Sequence, residues 1–462
     1  MKIPPFMFQT IIALSRRLPV YLLMPKKSRK ESMKDLYYGY YKKYDKLLIK
    51  IKKNGFGNIS CNDLKTIIPF LEKAGHHEEL YNCLAAAIKD YPDNSFFFMY
   101  FAQYYHFNNN IAEAMKMAAR SVELDPKNTQ SAALLITLKY KKSSRKEADS
   151  FALDLLKKYP LNSKVLWSIC YQCINREQYD RIVEIWQTAL KTSSNPDRDY
   201  VQTVPTVVTA AARANLFKEG IDLSFKASLK YLRKEVVLTK FPKSLRNKYS
   251  DNAIRDICEV FETCRVPFFF AAGTALGFIR EGKVLEHDAD IDVGIMEKDW
   301  AADIIMDAFN RHPHFVLENP HPDNPKIGLV HCGGADIDIF RFYRESNSLY
   351  HNGGFVRWKN SIFNLKRHCF NGIEFYLPDP ADKYLTENYG NWKLPDPQFD
   401  AFLYAPNTEV TNKEYLELNV ARSLYKSLIY NKKTKTLRIV NDYKDFISRT
   451  PVGKELLRYL IS

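Results

Sequence analysis

Two short runs of alternating aspartates are the residues of this sequence best suited to chemistry. Asp288, Asp290 and Asp292 are separated by Ala289 and Ile291, and later in the chain Asp336 and Asp338 are separated by Ile337. Residues two apart on an extended strand share a face, so each run would project its carboxylates together. Like charges held that close repel unless a cation sits between them. Oxygen-only ligands suit Mg²⁺ or Mn²⁺. One Asp-x-Asp alone is a weak signal, since glycosyltransferases of another fold use one to hold a sugar nucleotide. Two strands that each carry one fit divalent-metal phosphoryl transfer. The first strand supplies two ligands, and a neighbour completes the cage or takes the proton from the acceptor.

The flanking sequence predicts the elements that must position these groups. Phe268-Phe269-Phe270-Ala271-Ala272 reads as a buried strand. It runs into Gly273-Thr274, where a glycine lets backbone N–H groups approach a ligand closely. Ser250 to Cys264 reads as an amphipathic helix with Ile254, Ile257, Cys258 and Phe261 on one face. Lys298 to Arg311 predicts a further helix, Ile327 to His331 a short strand, and Ala335 to Tyr343 an alternating strand. Asn352-Gly353-Gly354 reads as a turn.

Upstream, a period of 34 residues organises the chain. Pro92, Pro126 and Pro160 are 34 apart, and so are Asn94, Asn128 and Asn162; Pro196 follows at 36. Each proline comes after an amphipathic stretch such as Ala112 to Leu124, where it ends one helix. This is the helix-turn-helix period of tetratricopeptide repeats, degenerate here because Ile136 and Leu155 stand where smaller residues are usual. Ala114 and Ala148 fall at matching positions where paired helices approach. Such arrays bind protein segments, pair with themselves or serve as spacers. Phe241-Pro242 marks a break, and the domain junction falls near residues 230 to 248.

Composition limits the function classes. The formal charge is +15, and the first fifty residues hold 12 Lys/Arg against 3 Asp/Glu. No nucleic-acid module accompanies this charge, so an anionic membrane surface is the better partner. The apolar stretch Phe6 to Leu14, followed by Arg16, Arg17 and Pro19, is too short to span a bilayer and suits an interfacial anchor. The eight cysteines contain one tight pair, Cys170 and Cys173, with no second pair to complete a zinc site. They read as structural thiols in a reducing compartment.

The order strand, Gly-Thr, spacer, Asp-x-Asp strand, later hydrophobic-Asp-hydrophobic strand is similar to the nucleotidyltransferase fold of the polymerase β type. A narrower likeness rests on Gly273-Thr274-Ala275-Leu276-Gly277, Arg280 and Asp288-x-Asp290-Ile291-Asp292-Val293-Gly294. It continues through Ile337 to Tyr343, Asn352-Gly353-Gly354, Leu377-Pro378, Tyr384-Leu385, Asn388 to Trp392 and Pro395. Over about residues 250 to 400 the chain resembles the LicD/fukutin family. That resemblance implies transfer of a substituted phosphate, such as phosphocholine, ribitol phosphate or glycerol phosphate, from a CDP-linked donor to a sugar hydroxyl, releasing CMP. It implies Asp290, Asp292 and Asp338 as catalytic metal ligands for Mg²⁺ or Mn²⁺. It implies Gly273, Thr274 and Gly277 as the loop that contacts donor phosphates, with Asp288 in support.

Arg280 suits a bidentate phosphate clamp or an ion pair with Glu281 or Glu286. Asp336 suits a base for the acceptor hydroxyl or a solvated edge position. Tyr389 and Trp392 suit apolar packing or stacking on a base, and His287 reads as a strand-edge residue.

The expected architecture is therefore α plus α/β. It comprises a basic segment (1–35), a tetratricopeptide-like helical solenoid (36–230), a mixed-sheet nucleotidyltransferase-fold catalytic domain (248–430) and a C-terminal helical tail (431–462). The expected setting is cytoplasmic, peripheral to the inner face of the cell membrane. The expected acceptor is a surface glycan such as capsule or lipopolysaccharide, a protein partner on the repeats is open, and nucleic acid is not expected. Nucleotidyl transfer to a small molecule or glycan, and a repeat adaptor with an inactive catalytic domain, are the competing classes.

Overall fold

The computed structural model describes residues 59–233, 250–285, 288, 290–318, 326–396 and 398–461. The basic N-terminal segment and His287 lie outside them. Among the described residues ten helices come first: α1 (Cys61–Ala74), α2 (His77–Asp90), α3 (Ser95–Phe107), α4 (Ile111–Leu124), α5 (Thr129–Lys142), α6 (Arg145–Lys158), α7 (Ser163–Cys170), α8 (Arg176–Thr192), α9 (Pro196–Arg213) and α10 (Phe217–Leu232). The repeated asparagine now has a physical role. Asn94, Asn128, Asn162 and Asn195 are the N-caps of α3, α5, α7 and α9, each accepting a first-turn backbone N–H through its side-chain oxygen. The repeat signal is thus a capping signal, opening the first helix of each antiparallel pair. Ala114 and Ala148 are fully buried in α4 and α6, where their small side chains let neighbouring helices close up.

Helix α11 (Ser250–Cys264) leads into the second unit. There β1 (Phe269–Phe270), α12 (Ala272–Glu281), β2 (Asp290–Met296), α13 (Ala302–Arg311), β3 (Phe315–Leu317), β4 (Lys326–His331) and β5 (Asp336–Glu345) follow in order. Next come β6 (Ser348–Asn352), β7 (Val356–Ser361), a hairpin of β8 (Asn364–Phe370) and β9 (Ile373–Asp379), α14 (Ala381–Tyr389), α15 (Ala401–Tyr404) and β10 (Thr408–Val410). The main sheet is mixed, in the order β1-β2-β5-β6-β7-β10, with β4 also paired to β5 and β3 to β4. Among the described residues its one parallel pair is β2 with β5, joined by the α13–β3–β4 crossover that parallel strands require. Ile254, Ile257 and Phe261 of α11 join the alternate residues Ile291, Val293, Ile337 and Ile339 in one buried core beneath the sheet.

The last helices, α16 (Lys413–Ile429), α17 (Lys433–Asp442), α18 (Lys444–Ile447) and α19 (Pro451–Ile461), correct the expected layout. The reading above put residues to 430 in the catalytic domain and the rest in a tail. Instead Leu418, Ala421, Leu424, Ile439, Ile447 and Leu456 share a core with Val204, Val208, Phe225 and Leu229 of the solenoid. The tip of Leu418 occupies the space beside Gly220 on α10, where a Cβ would stand 2.7 Å from it. The chain leaves the solenoid, builds the sheet domain and returns to close the solenoid's apolar end. Among the described residues no helix is long and apolar enough to cross a membrane.

Candidate active site

The two aspartate runs meet because β2 and β5 are neighbours in register. Asp290 stands beside Asp336, and Asp292 beside Asp338. Carboxylate oxygens of Asp290, Asp292 and Asp338 all lie within 4.8 Å of one another, each on a half-buried residue; Asp336 is outside this group of three. Burial, then the charge of Asp338, pushes the Asp290 carboxyl upward, while a hydrogen bond from Asp288 works the other way. Asp292 is pushed well above the ordinary carboxylate range by burial, then by Asp290, Asp288 and Asp338. These groups resist being charged together without a counterion. Three oxygen donors at this spacing could hold a hard divalent cation.

Helix α12 begins where β1 ends, so its first turn abuts this cluster. Gly273 N–H donates to Asp292 Oδ2 at 3.0 Å. A Cβ on Gly273 would stand 2.5 Å from Asp288 Oδ2 and 3.3 Å from Asp292 Oδ2, so only glycine permits the approach. The preceding Ala272 has φ 39°, a left-handed conformation unusual for alanine. Its N–H donates to the buried Tyr384 hydroxyl at 3.0 Å, which fixes the start of the helix. The N-terminal end of a helix carries a partial positive charge, which favours anionic groups placed against it.

Other predicted site residues are placed differently. Thr274 is fully buried, and its Oγ1 accepts the Asp292 N–H at 2.9 Å. It ties α12 to β2. Gly277 faces away from the carboxylates: a Cβ there would stand 2.6 Å from Lys283 O and 3.1 Å from Leu285 N. The absence of a side chain at this position lets α12 pack closely on the following loop. Arg280 donates to Trp392 O at 3.2 Å and to Glu281 Oε1 at 3.1 Å. Seven residues beyond Gly273, it shares that helical face but sits about 10 Å further along the axis. Tyr389 packs on Phe399, ring centroids 5.1 Å apart. Gly354, at φ 87°, makes the turn read from the sequence.

The structure adds residues that the sequence did not signal. Lys326 on β4 pairs with Asp338 Oδ2. Glu318, just after β3, has its carboxyl raised by burial, then by Asp336 and Asp338. From the solenoid, the Tyr171 hydroxyl donates to Glu318 Oε2 at 3.2 Å. A second cluster, His314, His331 and Cys332, also brings ligand-type atoms together. There His331 Nδ1 accepts the Gly333 N–H at 3.0 Å and Nε2 faces Asp256 Oδ2 at 2.9 Å. With Nδ1 accepting, Nε2 carries the proton and donates to the carboxylate, so hydrogen bonds satisfy this ring without a metal.

The matched segment covers this geometry. Residues 265–379 match the LicD/FKTN/FKRP nucleotidyltransferase domain. That stretch contains β1, α12, both aspartate strands and the β8–β9 hairpin. Over 157 residues the chain is 29% identical to ribitol-5-phosphate transferase FKTN of Mus musculus and 26% identical to its namesake of Homo sapiens, matching 31% of this chain and 33% of each relative. It is also 28% identical over 163 residues to an uncharacterized protein of Rickettsia typhi, covering 34% of this chain and 48% of that protein. The chain therefore spans about a third of the length of the FKTN relatives, and the helical repeats lie outside the family match.

Proposed function

We propose that this protein transfers a substituted phosphate from a CDP-linked donor to a sugar hydroxyl of a glycan, releasing CMP. The observation that carries the reading is the convergence of Asp290, Asp292 and Asp338 from two parallel strands onto the first turn of α12. The relatives' names make ribitol phosphate the first group to try, with phosphocholine and glycerol phosphate as alternatives.

Asp290, Asp292 and Asp338 are the residues that would hold Mg²⁺ or Mn²⁺, in agreement with their all-oxygen donor set and with the upward push that burial and neighbouring carboxylates exert on Asp290 and Asp292. When bound, such an ion neutralises diphosphate oxygens and eases departure of CMP. The backbone of α12 at Gly273 fixes Asp292 from one side, and Lys326 brings a positive charge to Asp338 from the other. Lys326 thereby brings a positive charge to the edge of the carboxylate cluster, where it could meet a donor phosphate. In the transfer the acceptor oxygen bonds to the phosphorus bearing the ribitol. The bond from that phosphorus to the bridging oxygen breaks, CMP leaves with that oxygen, and the hydroxyl proton passes to a neighbouring carboxylate, for which Asp336 is placed beside Asp290. The basic first fifty residues fit a position against an anionic lipid surface.

The test is CMP release with Mg²⁺ and a panel of CDP-ribitol, CDP-glycerol and CDP-choline. Asp290→Ala and Asp292→Ala should each lose more than the ~100-fold at the upper end of losses from merely supporting residues. Full turnover by either variant contradicts the assignment, and nucleotide retained on the product would make the enzyme a nucleotidyltransferase instead.

A further inference from the structure

The strand pairing places a fourth carboxylate on the aspartate face. Gly328 on β4 lies directly opposite Asp338 on β5. Side-chain positions of directly paired residues share a face about 5 Å apart. At Gly328 that position is filled by Glu318, whose Oε2 lies 2.7 Å from where a Cβ would stand. Glu318 therefore sits beside Asp338 on the same face of the sheet. A side chain at residue 328 would displace it.

The same oxygen accepts the Tyr171 hydroxyl, and Tyr171 opens a different territory. Between α3, α5 and α7 of the solenoid and the β3–β4 edge lies a cavity of about 260 Å³, whose walls include Lys141, Trp167, Tyr171 and Glu318. The Trp167 side chain is large and apolar yet the residue is 48% exposed, stacked on Tyr171 with ring centroids 5.8 Å apart and planes 26° apart. Lys141 donates to Leu317 O at 3.1 Å and stands 3.3 Å from His106 Nε2, which leaves its ammonium on the cavity wall. A flat indole open to solvent, with a carboxylate and an ammonium around it, offers apolar contact for the C–H face of a sugar and hydrogen bonds for its hydroxyls.

We propose that this groove is the acceptor subsite, in which a sugar ring of the acceptor glycan packs on Trp167 and hydrogen-bonds to Glu318 and Lys141. The tetratricopeptide-like array then helps to build the active site, because it supplies one wall of a groove whose other wall includes Glu318, the neighbour of Asp338. The inference rests on the transferase reading for its meaning, but it can be tested apart from that reading. The full chain, without donor or divalent metal, is applied to a printed array of bacterial and mammalian oligosaccharides. The wild type is expected to bind a restricted set, Trp167→Ala to weaken that binding about tenfold, and Trp167→Phe to restore most of it, since phenylalanine keeps a flat apolar ring at that position. A wild type that binds no oligosaccharide, or a Trp167→Ala variant that binds as the wild type does, overturns the proposal. CMP release by the same wild-type preparation is measured in parallel. Its absence with every CDP-linked donor would defeat the transferase reading, while the array result would still decide the groove.

Discussion

Asp292 is the residue on which most of the site's charge problem falls. Its carboxyl, like that of Asp290, is held above the ordinary value of 3.8 by burial and by neighbouring carboxylates. A carboxyl raised in the folded state costs the fold nothing while protonated, and penalises it as pH rises from the unfolded value through the folded one. In the presence of a chelator, Asp292→Asn should therefore be more stable than the wild type at pH 8. The gap should narrow toward pH 4, and Mg²⁺ should narrow or reverse it at pH 8 by stabilising only the wild type; urea unfolding curves at each pH measure it. Gly277 tests the distinction between packing and ligand contact. Gly277→Ala pushes a methyl group into Lys283 O and should cost about 1–3 kcal/mol in a denaturant melt. It should leave the KM for the CDP-linked donor within twofold of wild type, which a phosphate-contacting glycine would not.

At the scale of elements, the repeat and the two aspartate strands were legible for the same reason: each is a strict local period. Asn94, Asn128 and Asn162 recur every 34 residues because each must cap a helix, and Asn162 accepts from both Lys164 N–H and Val165 N–H. Asn162→Ala should destabilise the chain by about 1 kcal/mol in the same melt, with little change if serine replaces it. The alternation of Asp290 with Ile291 and of Asp338 with Ile339 likewise announces a strand with one buried and one polar face, and both isoleucines are buried. Lys326, Glu318 and Tyr171 carry no such pattern. Their positions follow from which strands become neighbours and from how the solenoid docks, and neither is written in local spacing.

For the whole molecule, the least legible feature is the return of the C-terminal helices to the solenoid. Nothing local in Lys413–Ile461 distinguishes an amphipathic tail from a set of helices that completes a core formed more than 200 residues earlier. The consequence can be checked: a chain ending at residue 412 would bare Val204, Val208, Phe225 and Leu229. It should lose cooperative unfolding and aggregate on expression, whereas a dispensable tail would leave the melt unchanged. The architecture places the sheet domain between two passes through the helical array. The central claim remains that Asp290, Asp292 and Asp338 form one divalent-cation site serving the transfer. Electron paramagnetic resonance of Mn²⁺ titrated into the full chain tests it most directly. About one tightly held Mn²⁺ per chain is predicted, lost in Asp292→Asn and broadened when CDP-ribitol is added. Undiminished Mn²⁺ binding by Asp292→Asn would contradict the account.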